Sequence, residues 1–196
     1  MKKNKGILII SIIFIVIGLM GITSLNLLSD VFTQRSVCGL GTGMMGDIDR
    51  HFIEQMIPHH EDAVLMAELA LTKANHEELK KLAENIKKDQ SREIGEMRSW
   101  YKSWYNIDVP ESAVEMGSMN RGMMGDKTDL NLLENTKLFD KEFIEQMIPH
   151  HQMAIMMASM MLNRTEREEM KKLAQDIIRT QTEEIDQMSA WYSDWY

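Results

Sequence analysis

Histidine and methionine recur at one fixed spacing in two copies of a short motif. Residues 52–60 read FIEQMIPHH, and the same nine residues return at 143–151. Each copy places a methionine three residues before two adjacent histidines, as Met56 stands before His59 and His60. Imidazole nitrogen and thioether sulfur are ligands that suit copper, and thioethers select Cu(I). The spacing therefore predicts a soft-metal site in each copy, with zinc as an alternative for the imidazole part.

A second motif, Gln-x-x-Glu-x-x-x-Met, follows each histidine pair on a helical stripe that is otherwise apolar. Its members are Gln90, Glu93 and Met97 in the first copy and Gln181, Glu184 and Met188 in the second. A buried carboxylate is costly unless it is paired or coordinated. Glu93 and Glu184 therefore need partners, and two interpretations remain open: each ligates a metal directly, or each only orients a histidine ring.

These motifs belong to a tandem duplication with an offset of 91 residues. Residues 49–105 and 140–196 align without a gap, with 29 identities in 57 positions. Apolar periodicity predicts two helices in the first copy, from about Asp47 to Thr72 and from about His76 to Tyr105. Antiparallel helices rise equally on both sides of a turn near Asn75. The histidine pair should therefore lie level with Gln90 and within one turn of Glu93.

One helical hairpin cannot bury its own apolar stripe, whereas two hairpins together can. The predicted fold is all-α, a four-helix bundle made of two duplicated hairpins. The predicted boundaries within this bundle, 47–196, are repeat one at 47–105, a linker at 106–137 and repeat two at 138–196. The Trp-Tyr pairs that end each repeat are expected to close the bundle.

The N-terminal residues predict a membrane anchor. Lys2, Lys3 and Lys5 precede an uncharged, Ile- and Leu-rich run at 6–29, which is long enough to cross a bilayer as a helix. The lysines favour a cytoplasmic N-terminus, which places residues 30–196 outside the cytoplasm. We interpret 1–29 as an uncleaved transmembrane helix and 30–46 as a Gly/Met-rich linker. A cleaved signal peptide is the alternative and gives the same compartment.

Composition narrows the range of partners. The net charge of −8 argues against nucleic acid and suits a surface that gathers cations. The single cysteine, Cys38, cannot form an internal disulfide. Of the 19 methionines, Met44, Met45, Met123 and Met124 fall in Gly-rich loops, where a simple linker and thioether metal capture are both open interpretations.

The paired motifs resemble a bacterial family catalogued as a domain of unknown function, DUF305. Its hallmark is Met-x-x-His-His followed by Gln-x-x-Glu-x-x-x-Met, which this chain carries twice across residues 47–196. The resemblance implies a ferritin-like helical fold and extracytoplasmic copper binding linked to copper resistance. The candidate metal residues on these motifs are His59, His60, His150, His151, Met56, Met147, Glu93, Glu184, Met97 and Met188.

Less specific interpretations exist for the same residues. A histidine on an apolar stripe is often only a core residue, and individual methionines often only fill the core. Adjacent helical side chains diverge by about 100°, so His60 should point to the bundle centre and His59 to its edge. His51 and His76 have no histidine counterpart in repeat two and are predicted to be surface residues.

The sequence is also compatible with functions other than metal binding. A structural bundle with Met-rich faces that dock another protein is the main alternative, and a His/Met haem site is a further one. A di-iron oxidase would need Glu-x-x-His pairs, which neither helix has, so no enzymatic activity is expected. The expected partners are metal ions, the membrane through residues 1–29, and a copper-handling protein or a second copy of the chain.

Overall fold

The computed structural model describes residues 48–111 and 128–196, all within one compact unit. Its helices are α1 (Ile48–Lys73), α2 (Glu77–Tyr105), α3 (Leu130–Asn135), α4 (Phe139–Leu162) and α5 (Glu168–Trp195). No strand occurs in these two ranges. The predicted all-α fold of two helical hairpins in one four-helix bundle is confirmed.

Each hairpin pairs two long helices, α1 with α2 and α4 with α5, and α1 packs against α4 to join them. The predicted helix ends are accurate to about one residue, since α1 ends at Lys73 and α2 ends at Tyr105. Asn106 ends α2 in the left-handed conformation, and its N–H donates to the carbonyl of Lys102. A C-terminal cap of this kind stops a helix without leaving its last carbonyls unpaired.

Two apolar clusters occupy opposite ends of the bundle. Core A combines the second half of α1 and the first half of α2 with the first half of α4 and the end of α5. Core B combines the complementary halves of the same four helices. Because the first half of α1 packs with the second half of α4, the two hairpins run antiparallel. Between the cores lies a buried polar layer formed by His59, His60, Gln90, Glu93, His150, His151, Gln181 and Glu184.

The linker contributes a helix that the sequence did not predict. Leu133 of α3 is fully buried in core A, and the Asp129 side chain caps the helix by accepting from the N–H of Leu132. A helix of six residues is too short to show apolar periodicity. The linker therefore covers one flank of the bundle as well as connecting the two repeats.

Asp140, at the start of α4, joins the two hairpins through the turn of the first. Its carboxylate accepts from the backbone N–H groups of Asn75 and His76, and one of its oxygens lies 2.6 Å from Nδ1 of His76. The His76 ring also stacks on Trp195, with ring centroids 3.6 Å apart. His76 lies at the surface, as predicted, with its side chain 38% exposed. The second hairpin nevertheless covers one face of its ring.

The duplication repeats this contact at the opposite end of the bundle. Shifted by 91 residues, the partners become Asp49, Arg167 and Trp104. Nε of Arg167 donates to Asp49 at 3.1 Å, and its guanidinium lies 4.0 Å from the centre of the Trp104 ring. Each hairpin thus closes over the turn of the other with an acid and a tryptophan, which contact an imidazole or a guanidinium group at that turn.

The predicted anchor at 1–29, the linker at 30–46, Cys38 and the loop methionines lie outside the described residues. None of the helices in the described ranges combines the length and hydrophobicity that crossing a bilayer requires.

Replacing Asp140 with asparagine should destabilise the bundle. The substitution removes the charge that accepts three hydrogen bonds at the start of α2, and hydrogen bonds to charged groups contribute about 1.5–3 kcal/mol. We expect a loss of that order in the free energy of unfolding, measured by chemical denaturation. Glu77→Gln, which removes an exposed i,i+3 pair with Lys80, is the control and should leave stability unchanged. Equal midpoints for wild type and Asp140→Asn would contradict the proposed role of this contact.

Candidate metal centre

The histidine and glutamate motifs meet at the centre of each hairpin. Nε2 of His60 lies 2.8 Å from Oε2 of Glu93, and Nε2 of His151 lies 2.7 Å from Oε2 of Glu184. All four side chains are buried. The expected convergence of the two motifs in each repeat is therefore present as a direct Glu–His contact.

These contacts determine which ring nitrogen is left for another partner. An ionised carboxylate only accepts, so the Nε2–H of each histidine donates and Nδ1 keeps its lone pair. Nδ1 of His60 and Nδ1 of His151 are buried and have no hydrogen-bond partner among the described residues. A carboxylate that holds one ring nitrogen while the other faces a ligand is the usual arrangement around metal-binding histidines.

The other two histidines meet between the hairpins. The rings of His59 and His150 lie 3.7 Å apart, and the Nε2–H of His150 donates to the carbonyl oxygen of His59 at 3.1 Å. His59 was expected at the edge of the bundle, and this is wrong because its side chain is only 8% exposed. The His59 side chain points away from its own hairpin, and the second hairpin covers it there.

Burial lowers the pKa of His150 well below its ordinary value, and the neighbouring His59, His151 and His60 lower it further. Its ring is therefore neutral at physiological pH. Its Nε2–H is donated to the His59 carbonyl, so the lone pair is on Nδ1, which is buried without a partner in the described part of the chain. A neutral imidazole with a free lone pair is the form in which histidine binds a metal.

The candidate methionines flank the polar layer inside the two cores. Met56 and Met97 are fully buried in core B, and Met147 and Met188 are fully buried in core A. Met56 precedes His60 by four residues, so its thioether belongs to the next helical turn on the same face. The same relation holds in repeat two.

The two repeats differ in the charge beside each glutamate. Arg92 donates to Oε1 of Glu93 at 3.1 Å, whereas the equivalent residue in repeat two is Glu183. The first His–Glu pair therefore has a neighbouring cation, and the second has a neighbouring carboxylate. The alignment of the two repeats contains this asymmetry, since Arg92 is aligned with Glu183.

The donor set has the chemistry of a soft-metal site. Within residues 48–111 and 128–196, no three His, Cys, Asp or Glu side chains are grouped to hold a metal ion. The available donors are instead three imidazole Nδ1 atoms in the layer and the thioethers of the two flanking cores, a mixture that suits copper. The Gln90 amide is also buried with neither polar atom paired, as is Oε1 of Gln181. Both glutamines were predicted to lie level with the histidines, but neither was predicted to be a metal ligand.

A family model confirms the resemblance drawn from the motifs. The model of DUF305, a domain of unknown function, matches residues 49–192. The chain belongs to this family.

Solved structures of similar proteins include CopM. CopM in the Cu(I)-bound form is 53% identical, with a TM-score of 0.67, over 76% of this chain and 97% of CopM. The Cu(II)-bound form gives 56% identity and a TM-score of 0.70 over the same shares. A DUF305 fragment from Deinococcus radiodurans is 25% identical, with a TM-score of 0.64, over 76% of this chain and 97% of the fragment.

One curated relative shares only part of the chain. An uncharacterised protein of Acanthamoeba polyphaga mimivirus is 47% identical over 51 residues. The match covers 26% of this chain and 34% of the length of that relative.

The lowered pKa of His150 predicts that the metal-free bundle loses stability in acid. Between the lowered pKa and the ordinary value of 6.5, the unfolded state binds a proton on this residue that the folded state excludes. The contribution of His150 is thus complete above about pH 6.5 and decreases as the pH falls below it.

Denaturation midpoints between pH 5 and 8, measured with a chelator present, test this expectation. His150→Gln retains an N–H donor for the His59 carbonyl but does not titrate. Its stability should therefore fall less steeply than that of wild type below about pH 6.5. Parallel pH profiles for the two proteins would show that His150 does not carry the effect.

Proposed function

We propose that this protein binds copper, preferentially Cu(I), and sequesters it or hands it over in metal homeostasis. The observation that carries the proposal is the buried polar layer, where Nδ1 of His60, His150 and His151 lacks any partner in the described structure. A buried polar atom without a hydrogen bond costs about 1–3 kcal/mol. A ligand that accepts these lone pairs would offset that cost.

The structures of CopM support copper as this ligand. CopM has been solved with Cu(I), with Cu(II) and with silver bound, and it matches three quarters of this chain at more than half identity. We propose that the site prefers Cu(I) because thioethers are softer donors than imidazole or carboxylate. The thioethers in question are those of Met56, Met97, Met147 and Met188. Zinc is the alternative for a site made of the imidazoles and glutamates alone.

The residues would act in different ways. The histidine Nδ1 atoms would hold the metal together with the adjacent thioethers. Glu93 and Glu184 would keep the rings of His60 and His151 in the required tautomer and orientation. We propose a role in binding rather than catalysis, because the two carboxylates of the layer are engaged with histidines instead of forming Glu-x-x-His pairs.

The proposed setting is the outer face of a membrane. Residues 1–29 would anchor the chain and residues 30–196 would lie outside the cytoplasm, as the N-terminal lysines and apolar run predict. The proposed partners are metal ions and a copper-handling protein that receives the metal.

Competition for Cu(I) against a chromogenic chelator tests the proposal. Wild type should withdraw Cu(I) from the chelator in stoichiometric amounts, and a variant with His59, His150, His60 and His151 all changed to alanine should withdraw fewer equivalents, because the central layer no longer binds. Because four truncations threaten the fold, the volume-conserving pair Met56→Leu and Met147→Leu is tested alongside. If wild type stays folded and takes no copper, the bundle has the alternative structural or partner-binding role.

Glu93→Gln separates a positioning role from a merely structural one. The amide oxygen keeps the shape and still accepts from His60, while the charge is lost. We expect an intact fold and a metal affinity lower by about 10- to 100-fold, as when other residues that orient metal ligands are removed. Glu68→Gln, in an exposed pair with Lys87, is the matched control and should change nothing. Equal affinities for Glu93→Gln and wild type would exclude an electrostatic role for Glu93 at the metal.

A further inference from the structure

A second group of soft donors lies on the surface, in a groove between the start of α1 and the end of α4. His51 and Gln55 line one side, and Met156, Met157, Met160 and Met161 line the other. We call this the methionine groove. Met156 and Met160 are 46% and 51% exposed, and His51 is exposed as well. Unlike the buried polar layer, these donors are reached directly from solvent.

The duplication supplies an internal comparison for this groove. Shifting by 91 residues maps Met156 to Leu65, Met160 to Leu69 and His51 to Glu142. Repeat one therefore has leucines where repeat two has two of its thioethers. The imidazole of His51 is replaced by a carboxylate at the equivalent position.

The equivalent surface is also covered differently. Helix α3 packs there, with Leu133 fully buried in core A and Leu69 packed against the same cluster. Gln146, the counterpart of Gln55, accepts from the N–H of Asp129 at the start of α3. One flank thus has Leu69 packed beside helix α3, whereas the flank with methionines and His51 forms a groove in the described structure.

The chemistry of the groove selects for a soft cation. None of the eight residues that line it, which include Ile48 and Phe52, carries a carboxylate, so it lacks the charged oxygen ligands of Mg²⁺ and Ca²⁺ sites. Thioether and imidazole are neutral donors that suit Cu(I) and its analogue Ag(I). Met156 and Met160 stand four residues apart and lie next to each other on one helical face. This places two sulfur atoms together, with His51 across the groove.

We propose that the methionine groove is a second, solvent-open site for a soft monovalent metal ion, held by His51, Met156 and Met160. Its position on the surface fits it to take metal from solution or pass it to a partner. The site is separate from the buried layer and has its own ligands, so each can bind when the other is disabled.

Silver titration of the full chain, labelled with ¹³C at the methionine methyl groups, tests this site directly. The signals of Met156 and Met160 are assigned as those missing from Met156→Leu and Met160→Leu. We expect both signals to shift on addition of Ag(I) and to stay unchanged with Mg²⁺. The double variant should bind one equivalent of Ag(I) less than wild type, with its fold intact because leucine conserves the volume.

Two further variants isolate the role of His51. His51→Glu installs the residue found at the equivalent position of repeat one, and it should weaken the Ag(I)-induced shifts of Met156 and Met160. Leu65→Met is the matched control, because Leu65 is as exposed as Met156 but its surface has Glu142 at the position equivalent to His51. The added thioether should bind no silver. Unchanged shifts in His51→Glu would remove the imidazole from the proposed site.

The experiment also separates this site from the central one. In the variant lacking His59, His60, His150 and His151, the groove signals should still shift with Ag(I). If they shift in neither protein and the stoichiometry of Met156→Leu/Met160→Leu equals that of wild type, the groove site is wrong. The Cu(I) competition then still decides the central site. Groove signals that respond only to an added protein would instead assign this face to docking.

Discussion

The structure depends on placing two carboxylates in the middle of a helical bundle. Glu93 and Glu184 are nearly inaccessible to solvent, and each requires a donor at one particular height on the neighbouring helix. His60 and His151 provide that donor, 33 residues earlier in each repeat. Sliding one helix by a residue would rotate the donor by about 100° and leave the carboxylate unpaired. The Glu–His contact therefore fixes the register of each hairpin, and the two apolar cores fill the space on either side of it.

Duplication then determines how the hairpins meet. An approximate twofold relation brings a residue on its axis close to its own copy, which explains why His59 contacts His150 at the centre. Off the axis, the same relation produces matching contacts at the two ends, Asp140 with His76 and Asp49 with Arg167. The repeats differ where chemistry can be specialised: Arg92 corresponds to Glu183, and His51 to Glu142. One ancestral hairpin thus yields a symmetric scaffold with unequal surroundings for its two His–Glu pairs.

The sequence predicted the helices and contacts within one hairpin, but not the residue contacts between the two hairpins. Apolar periodicity and equal helix rise were sufficient for the helices, their ends and the pairing of His60 with Glu93. The placement of His59 at the edge of the bundle was wrong, and the partners of His76 were not predicted, because both residues face the other hairpin and no pattern within one repeat encodes that approach. Helix α3 was missed because six residues carry no period. The alignment of the two repeats did contain a usable signal, since Asp49 and Asp140 are identical at the positions that join the hairpins.

The polar layer also connects the stability of the bundle to what it binds. The unpaired Nδ1 atoms and the Gln90 amide lie between well-packed cores, where apolar side chains of the same volume would cost the fold nothing in desolvation. Departures from ideal packing of this kind are typical of functional positions. A ligand that binds only the folded state stabilises it by RT ln(1 + [L]/Kd), so occupancy of the layer and resistance to unfolding must rise together. The methionine groove is different, because its donors are already solvated and its occupancy need not alter the packing of either core.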